Sequence, residues 1–181
     1  MGDMPNRKPN RLQGYDYSSP GYYFVTICTK DRFPWFGEIY NSAMILNESG
    51  SFINQTWKNI PNYYNNVYID KYVIMPNHIH GIIHIQYNPA NRPVGVGHCP
   101  TPTGRPPTGH YGLLSKIING FKNTVTKHIR KNMGIVSFQW QRSFYDRIIR
   151  SQNELYIVRK YIRNNPARWD KDERYGDELM Q

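Results

Sequence analysis

The segment Y-V-I-M-P-N-H-I-H-G-I-I-H-I, Tyr72 to Ile85, limits the possible folds more than any other part of the chain. It is mostly apolar, as strands buried on both faces are. Pro76-Asn77 interrupts it with a pair suited to a tight turn. The flanking halves therefore read as two strands, 66–75 and 78–85, antiparallel to each other. His78, His80 and His84 fall at even spacing in the second strand, and residues two apart point to one face. His78 and His80 would stand roughly 6.5–7 Å apart at the backbone, near enough for both imidazoles to converge on one cation. His84 lies ~13 Å along the strand from His80 and cannot join them.

The rest of the chain supplies partners for that hairpin. Tyr22–Thr29 is β-branched and aromatic and reads as a buried strand. R-F-P-W-F-G after it is a turn or loop. Leu46, Ile53, Trp57 and Ile60 fit helical spacing loosely over 43–59, a pattern that Gly50 weakens. Residues 88–112 are too rich in Pro and Gly for a helix interior or central strand and read as a long loop. The best helix is Leu113–Arg130, with Leu114, Ile117, Ile118, Phe121 and Val125 on one stripe. Lys116, Lys122, Lys127 and Arg130 fall among its polar positions, either as a solvated basic face or as phosphate contacts. Residues 135–150 read as a strand pair, or a strand with a long turn. Ser151 with Glu154 is a capping signature for a last helix with a Leu155/Val158/Ile162 stripe. Pro166 ends it, and Asn165 before the proline is biased away from α geometry.

This order, β-α-β-β-α-β followed by a helix, predicts an α+β fold. The ferredoxin/RRM-like antiparallel sheet with two helices on one face is the commonest arrangement that satisfies it. The last helix is then an addition at the edge of the sheet. The expected organisation is a basic arm over 1–20, a domain over 21–169 carrying the 88–112 loop, and a charged tail over 170–181.

Charge narrows the partners. The 181 residues carry a formal net charge of +10, which predicts attraction to polyanions such as nucleic acid. Two distant cysteines, Cys28 and Cys99, make neither a disulfide framework nor a Cys-based zinc site. No N-terminal apolar region marks a secretory signal, and no apolar run approaches the ~20 residues that span a bilayer. The expectation is a cytoplasmic protein without a membrane partner.

Two histidines do not complete a metal site, and the acidic residues are scattered. That argues against a zinc hydrolase with three protein ligands and against a two-metal nuclease. A different group must act as nucleophile. Tyr161 and Asn165 are four apart and stack on one face of the last helix, flanked by Arg159, Lys160 and Arg163. The phenol is a candidate nucleophile and the amide oxygen a candidate third ligand. With 15 tyrosines in the chain, Tyr161 reads first as a packing residue from its own surroundings. Tyr156, on the same helix, is the runner-up and has Lys160 rather than an amide four residues on.

The pieces V-I-M-P-N-H-I-H-G-I-I, F-Q-W-Q-R-S-F-Y-D-R-I-I-R and Y-I-R-N-N-P-A-R-W together resemble the single-tyrosine HUH transposases of insertion sequences, most of all the REP-associated tyrosine transposases. The resemblance runs from about Tyr15 to Trp169. It implies that His78, His80 and Asn165 hold a divalent ion, Mg²⁺ or Mn²⁺, and that Tyr161 is the nucleophile. It also implies attack on a DNA phosphate to leave a 5′-phosphotyrosine and a free 3′-hydroxyl, which can later rejoin strands without ATP. The implied substrate is hairpin DNA with a short single-stranded flank at repetitive palindromic elements, and the implied state is a monomer or homodimer. Lys160 and Arg163 could offset charge on the phosphoryl oxygens. Arg7, Lys8 and Arg11 of the arm could contact the flank, with strong salt dependence. Two other readings stay open from the residues: a non-catalytic single-stranded nucleic-acid binder with stacking aromatics, and a metal-dependent nuclease that activates water.

Overall fold

A computed structural model describes residues 15–87 and 112–169. The elements are β1 (Gly21–Cys28), β2 (Gly37–Tyr40), β3 (Ala43–Leu46), α1 (Glu48–Lys58), β4 (Val67–Ile74), β5 (His78–Ile85), α2 (Leu113–Asn132), β6 (Tyr145–Ile149) and α3 (Gln152–Asn164). The main sheet has the order β4-β5-β1-β6, with every neighbouring pair antiparallel. β2 and β3 form a separate hairpin. The expected α+β class and antiparallel sheet are both present. Most of the 1–20 arm, the 88–112 loop and the 170–181 tail lie outside the described residues. The last residues counted with the arm are packed on the domain: Tyr17 is buried, and its carbonyl accepts from Leu114 N at 3.2 Å.

The two faces of the sheet follow from the period of two along β1 and β5. Tyr23, Val25 and Ile27 of β1, with Ile79 and Ile83 of β5, point to one side. They pack against Ile53 and Trp57 of α1 and the Leu114/Ile117/Ile118/Phe121/Val125 stripe of α2. Phe24 and Ile82 point to the other side and meet Leu155, Val158 and Ile162 of α3. Each of these three side chains contributes up to about 1.5–3 kcal/mol when fully buried, so the stripe is sufficient to dock the helix. The last helix is thus not an addition at the sheet edge. It covers the second face, because its stripe matches the apolar centre of that face.

Three local expectations are corrected or resolved. Residues 43–46 do not begin a helix. They form β3, joined to β2 through Asn41 and Ser42, whose φ values of 48° and 60° suit a tight hairpin turn. The helix starts only where the Asn47 side chain accepts from Gly50 N at 2.9 Å. Of the two readings of 135–150, the strand with a long turn is the one that forms: Tyr145–Ile149 is its strand, and Trp140 adds an isolated antiparallel bridge to Thr29. The residues before β6 are held by two cations of α2. Buried Lys122 donates to the Gln141 and Ser143 carbonyls at 2.8 and 3.2 Å, and Arg130 Nε to the Phe138 carbonyl at 2.9 Å. Those two residues are structural clamps, while Lys116 and Lys127 are exposed. Asn165 keeps α geometry (φ −60°, ψ −45°) despite preceding Pro166. A 3-10 turn over Pro166–Arg168 continues the coil direction, so the pre-proline bias yields to packing at the end of α3.

The cap of α3 forms as expected on one side. Ser151 Oγ accepts from Glu154 N at 3.1 Å. The return bond is displaced by one residue, with Glu154 Oε2 accepting from Arg150 N at 2.9 Å.

Candidate active site

β5 lies between β4 and β1, so its side chains are walled on both flanks. On its α3 side His78 and His80 are buried, 2% and 4% exposed. Their Nε2 atoms stand 3.0 Å apart. Each ring is fixed from behind. His80 Nδ1 lies 2.8 Å from Thr26 Oγ1, since Thr26 is the register partner of His80 across the β1–β5 ladder. His78 Nδ1 lies 2.7 Å from Asn77 Oδ1. The Asn77 amide is itself oriented, because its Nδ2 donates to the Arg32 carbonyl at 2.9 Å. With that orientation Oδ1 can only accept, so His78 carries its proton on Nδ1 and turns the Nε2 lone pair toward His80.

α3 delivers Tyr161 to the same point. Its Oη lies 3.1 Å from His80 Nε2, and its ring meets Phe24 edge-on at 6.2 Å. Beyond the helix, the Trp169 ring stacks over His78 with centroids 6.0 Å apart. Asn165 lies between these two contacts in sequence and is 1% exposed. Tyr156, the alternative nucleophile, is 65% exposed. Lys160 and Arg163 are exposed on the helix surface. Arg159 is committed elsewhere: its Nε donates to Asp70 Oδ1 at 2.8 Å and a second guanidinium nitrogen contacts Asp70 Oδ2. That pairing holds the Asp70 carboxyl below its ordinary range. Arg147 pairs with Glu154 at 2.9 Å. His84 takes no part in the pair; its ring stacks on Tyr22 with centroids 4.0 Å apart. Arg7, Lys8 and Arg11 lie outside the described residues.

Burial keeps both imidazoles neutral. It is the largest cause of the drop at His78, well below the ordinary value, with the neighbouring His80 and the Arg32 guanidinium adding to it. His80 is pushed down to about 3 by burial and then by Arg32. Neutral imidazoles are the form that ligates metals. Two lone pairs aimed at each other across 3.0 Å repel unless a proton or a cation lies between them. Ligands about 2.1 Å from one ion at a right angle are about 3 Å apart, which this pair fits. The Nδ1 anchors on Thr26 and Asn77 are the kind of outer contacts that orient ligating histidines. Among the described residues no group of three or more His, Cys, Asp or Glu could hold a metal. A third protein ligand would therefore be of another type, and the Asn165 amide, at the end of the helix that carries Tyr161, fits that requirement.

No family model matches the chain. An uncharacterized protein of Haemophilus influenzae (strain ATCC 51907 / DSM 11121 / KW20 / Rd) is 40% identical over 177 residues, spanning 95% of this chain and 94% of that protein. A second protein of the same strain, named "Putative REP-associated tyrosine transposase", is 28% identical over 153 residues, spanning 84% of this chain and 74% of its own length. The fold is that of a solved REP-associated tyrosine transposase bound to a REP hairpin, with a TM-score of 0.54 at 16% identity. The likeness covers 87% of this chain and 73% of that one. The chain is thus similar in sequence to a protein named as a REP-associated tyrosine transposase and shares the fold of a solved one.

Four residues that sequence reasoning did not single out bear on the two histidines. Thr26 and Asn77 anchor the rings, Trp169 covers His78, and the Arg32 carbonyl accepts from Asn77 Nδ2. Asn77 had a local signal, as an amide immediately before the first histidine. Thr26 and Arg32 had none, because the β1–β5 register brings Thr26 to the site and the bond from Asn77 to its carbonyl brings Arg32. Among the described residues no helix is long and apolar enough to cross a membrane.

Proposed function

We propose that the chain is a single-stranded DNA transposase or endonuclease that cleaves and rejoins DNA at hairpin, REP-like palindromic elements through a 5′-phosphotyrosine on Tyr161. His78, His80 and Asn165 would hold a divalent ion, Mg²⁺ or Mn²⁺. The observation that carries this reading is the meeting of Tyr161 Oη with His80 Nε2 at 3.1 Å, across 81 residues of sequence, beside the second imidazole. The order β-α-β-β-α-β of the main-sheet strands and first two helices, with β6-β1-β5-β4 across the sheet, supports the ferredoxin/RRM-like assignment. A bare RRM-type stacking platform is less well supported, since α3 covers the face that such a platform would expose.

An ion bound there supplies Lewis-acid polarisation of a non-bridging phosphoryl oxygen. Thr26 and Asn77 hold the imidazoles so that both Nε2 atoms face the reaction centre. Phe24 and His80 fix the Tyr161 ring, which limits the nucleophile to one approach. Its Oη attacks phosphorus in line, the P–O3′ bond breaks, and the proton lost by the phenol is matched by the one gained at the 3′-oxygen. The phosphotyrosyl ester retains the energy of the broken linkage, and a 3′-hydroxyl reverses the step to rejoin strands. Lys160, Arg163 and the arm residues Arg7, Lys8 and Arg11 contact the DNA backbone in this reading.

The test is a denaturing gel after incubation with Mn²⁺ and a hairpin oligonucleotide bearing a single-stranded flank, labelled at its 3′ end. The protein should acquire the label, while 5′-end label should appear in free product. Tyr161→Phe should lower adduct formation by at least about a thousandfold and leave DNA binding in place. Cleavage without an adduct would assign the chemistry to water. An unchanged rate in Tyr161→Phe would remove Tyr161 from the mechanism.

A further inference from the structure

We infer that Arg32 is a catalytic residue of this site: its guanidinium binds a non-bridging oxygen of the scissile phosphate and stabilises the charge that develops during attack. The inference rests on the Tyr161 reading above and adds to it a residue from a different element.

The first observation is backbone strain. Asp31 and Arg32 both have φ of 54°, a left-handed conformation that costs non-glycine residues roughly 1–2 kcal/mol each. Such residues persist only where their surroundings fix them, and they concentrate at functional sites. Here the surroundings are specific. Thr29 Oγ1 lies 2.8 Å from the Phe33 carbonyl and 2.9 Å from the Asn77 carbonyl, which share its single proton. Asn77 Nδ2 donates to the carbonyl of Arg32 itself. The strained turn is thereby tied to the β4–β5 turn, and through Asn77 to His78 Nδ1. One amide fixes both the Arg32 backbone and the ring of a candidate ligand.

The second observation is the state of the side chain. Arg32 is exposed, and among the described residues no carboxylate pairs with it. Arg159 is occupied by Asp70, Arg147 by Glu154, and Lys122 and Arg130 by carbonyls, while Lys160 and Arg163 stand on the exposed surface of α3. The Arg32 backbone carbonyl accepts from Asn77 Nδ2, and Asn77 Oδ1 lies 2.7 Å from His78 Nδ1, so the side chain starts one amide away from the imidazole pair. An uncompensated cation anchored one amide from the imidazole pair is suited to an anion, and the anion this site admits is a DNA phosphate. In-line attack adds negative charge to the phosphoryl oxygens, the protein ligands carry none to offset it, and a planar guanidinium matches the geometry of those oxygens.

Arg32→Gly and Arg32→Lys test this, since glycine accepts the left-handed backbone without strain. Adduct formation is followed in single turnover with saturating hairpin DNA and Mn²⁺, beside DNA affinity, Mn²⁺ affinity and thermal midpoint. Arg32→Gly should react about a hundredfold more slowly, with the other three readouts unchanged. Added guanidinium ion should recover at least about tenfold of that loss, and Arg32→Lys should fall between Arg32→Gly and wild type. A rate within about threefold of wild type would overturn the inference. So would a loss confined to DNA affinity, or one accompanied by weaker Mn²⁺ binding or a lower midpoint. If wild type itself forms no adduct, the Tyr161 reading fails and the inference fails with it; if wild type reacts and Arg32→Gly matches it, only the inference fails.

Discussion

On the side of the sheet covered by α1 and α2, β1 and β5 present Tyr23, Val25, Ile27, Ile79 and Ile83, all fully buried, and Trp57 fills the space over Gly81. On the other side the same two strands present Thr26, His78 and His80, also buried, beside Phe24 and Ile82. Two adjacent strands thus alternate between a dry core and a polar cluster at every step. Burial stabilises the first set directly. It penalises ionisation of the second set and so prepares it for chemistry: the hydrogen bonds to Thr26 and Asn77 compensate the rings, and their neutrality leaves lone pairs for a cation. The apolar face can tolerate no added volume, and the polar face no added proton.

The second of these limits is the larger over an accessible pH range. In the unfolded chain the two histidines titrate near 6.5; in the fold His78 is well below that and His80 is at about 3. Between those limits the unfolded state binds more protons, so stability falls as pH falls below 6.5. Each fully engaged imidazole contributes up to about 1.4 kcal/mol per pH unit. Asp70 is depressed by Arg159, so its contribution is lost only at lower pH. Urea denaturation with EDTA at pH 6.5, 5.5 and 4.5 should therefore show a drop of several kcal/mol that the carboxylates do not supply. A flat profile across that window would mean that the imidazoles are open to water.

The volume limit on the other face is tested at Gly81. A Cβ built there lies 2.5 Å from Trp57 Cζ2, and Trp57 is fully buried with no flexible end to yield. Gly81→Ala should cost about 1–3 kcal/mol in denaturant unfolding. It should leave the rate of adduct formation at saturating DNA unchanged, because the added methyl points away from His80. A loss of rate with full stability would show that the two faces are coupled through β5.

How much of this was legible before the structure depended on how local each signal was. The even spacing of His78 and His80, the Ser151 cap and the apolar stripes of α2 and α3 are written within a few residues, and they fold as their patterns imply. The β2–β3 hairpin was missed because each strand has four residues and its turn is Asn41-Ser42 rather than a glycine pair. Lys122 and Arg130 were read as surface cations, because nothing near them in sequence shows that the carbonyls of 138–143 come back to meet them. The face that α3 covers, and the arrival of Thr26 and Arg32 at the histidines, depend on strand order and register. Those are tertiary choices, with the relevant partners about fifty residues apart.

Thr26 gives the smallest and most selective test of the difference between the faces. Thr26→Val keeps the branched shape that suits a strand and removes only the oxygen 2.8 Å from His80 Nδ1. On the apolar face such an exchange would add burial. Here it leaves His80 free to choose its tautomer and to tilt away from His78. Loss of an outer contact of this kind weakens metal binding by 10–100-fold in general. Since the packing of His80 against Phe24 survives, Mn²⁺ affinity measured by calorimetry should fall by about tenfold, the lower end of that range. Stability in EDTA should change by no more than about 1 kcal/mol. Unchanged affinity with unchanged stability would mean that strand geometry alone aims the imidazole. The polar face would then owe its arrangement to the backbone, as the apolar face does, rather than to the hydroxyl behind the ring.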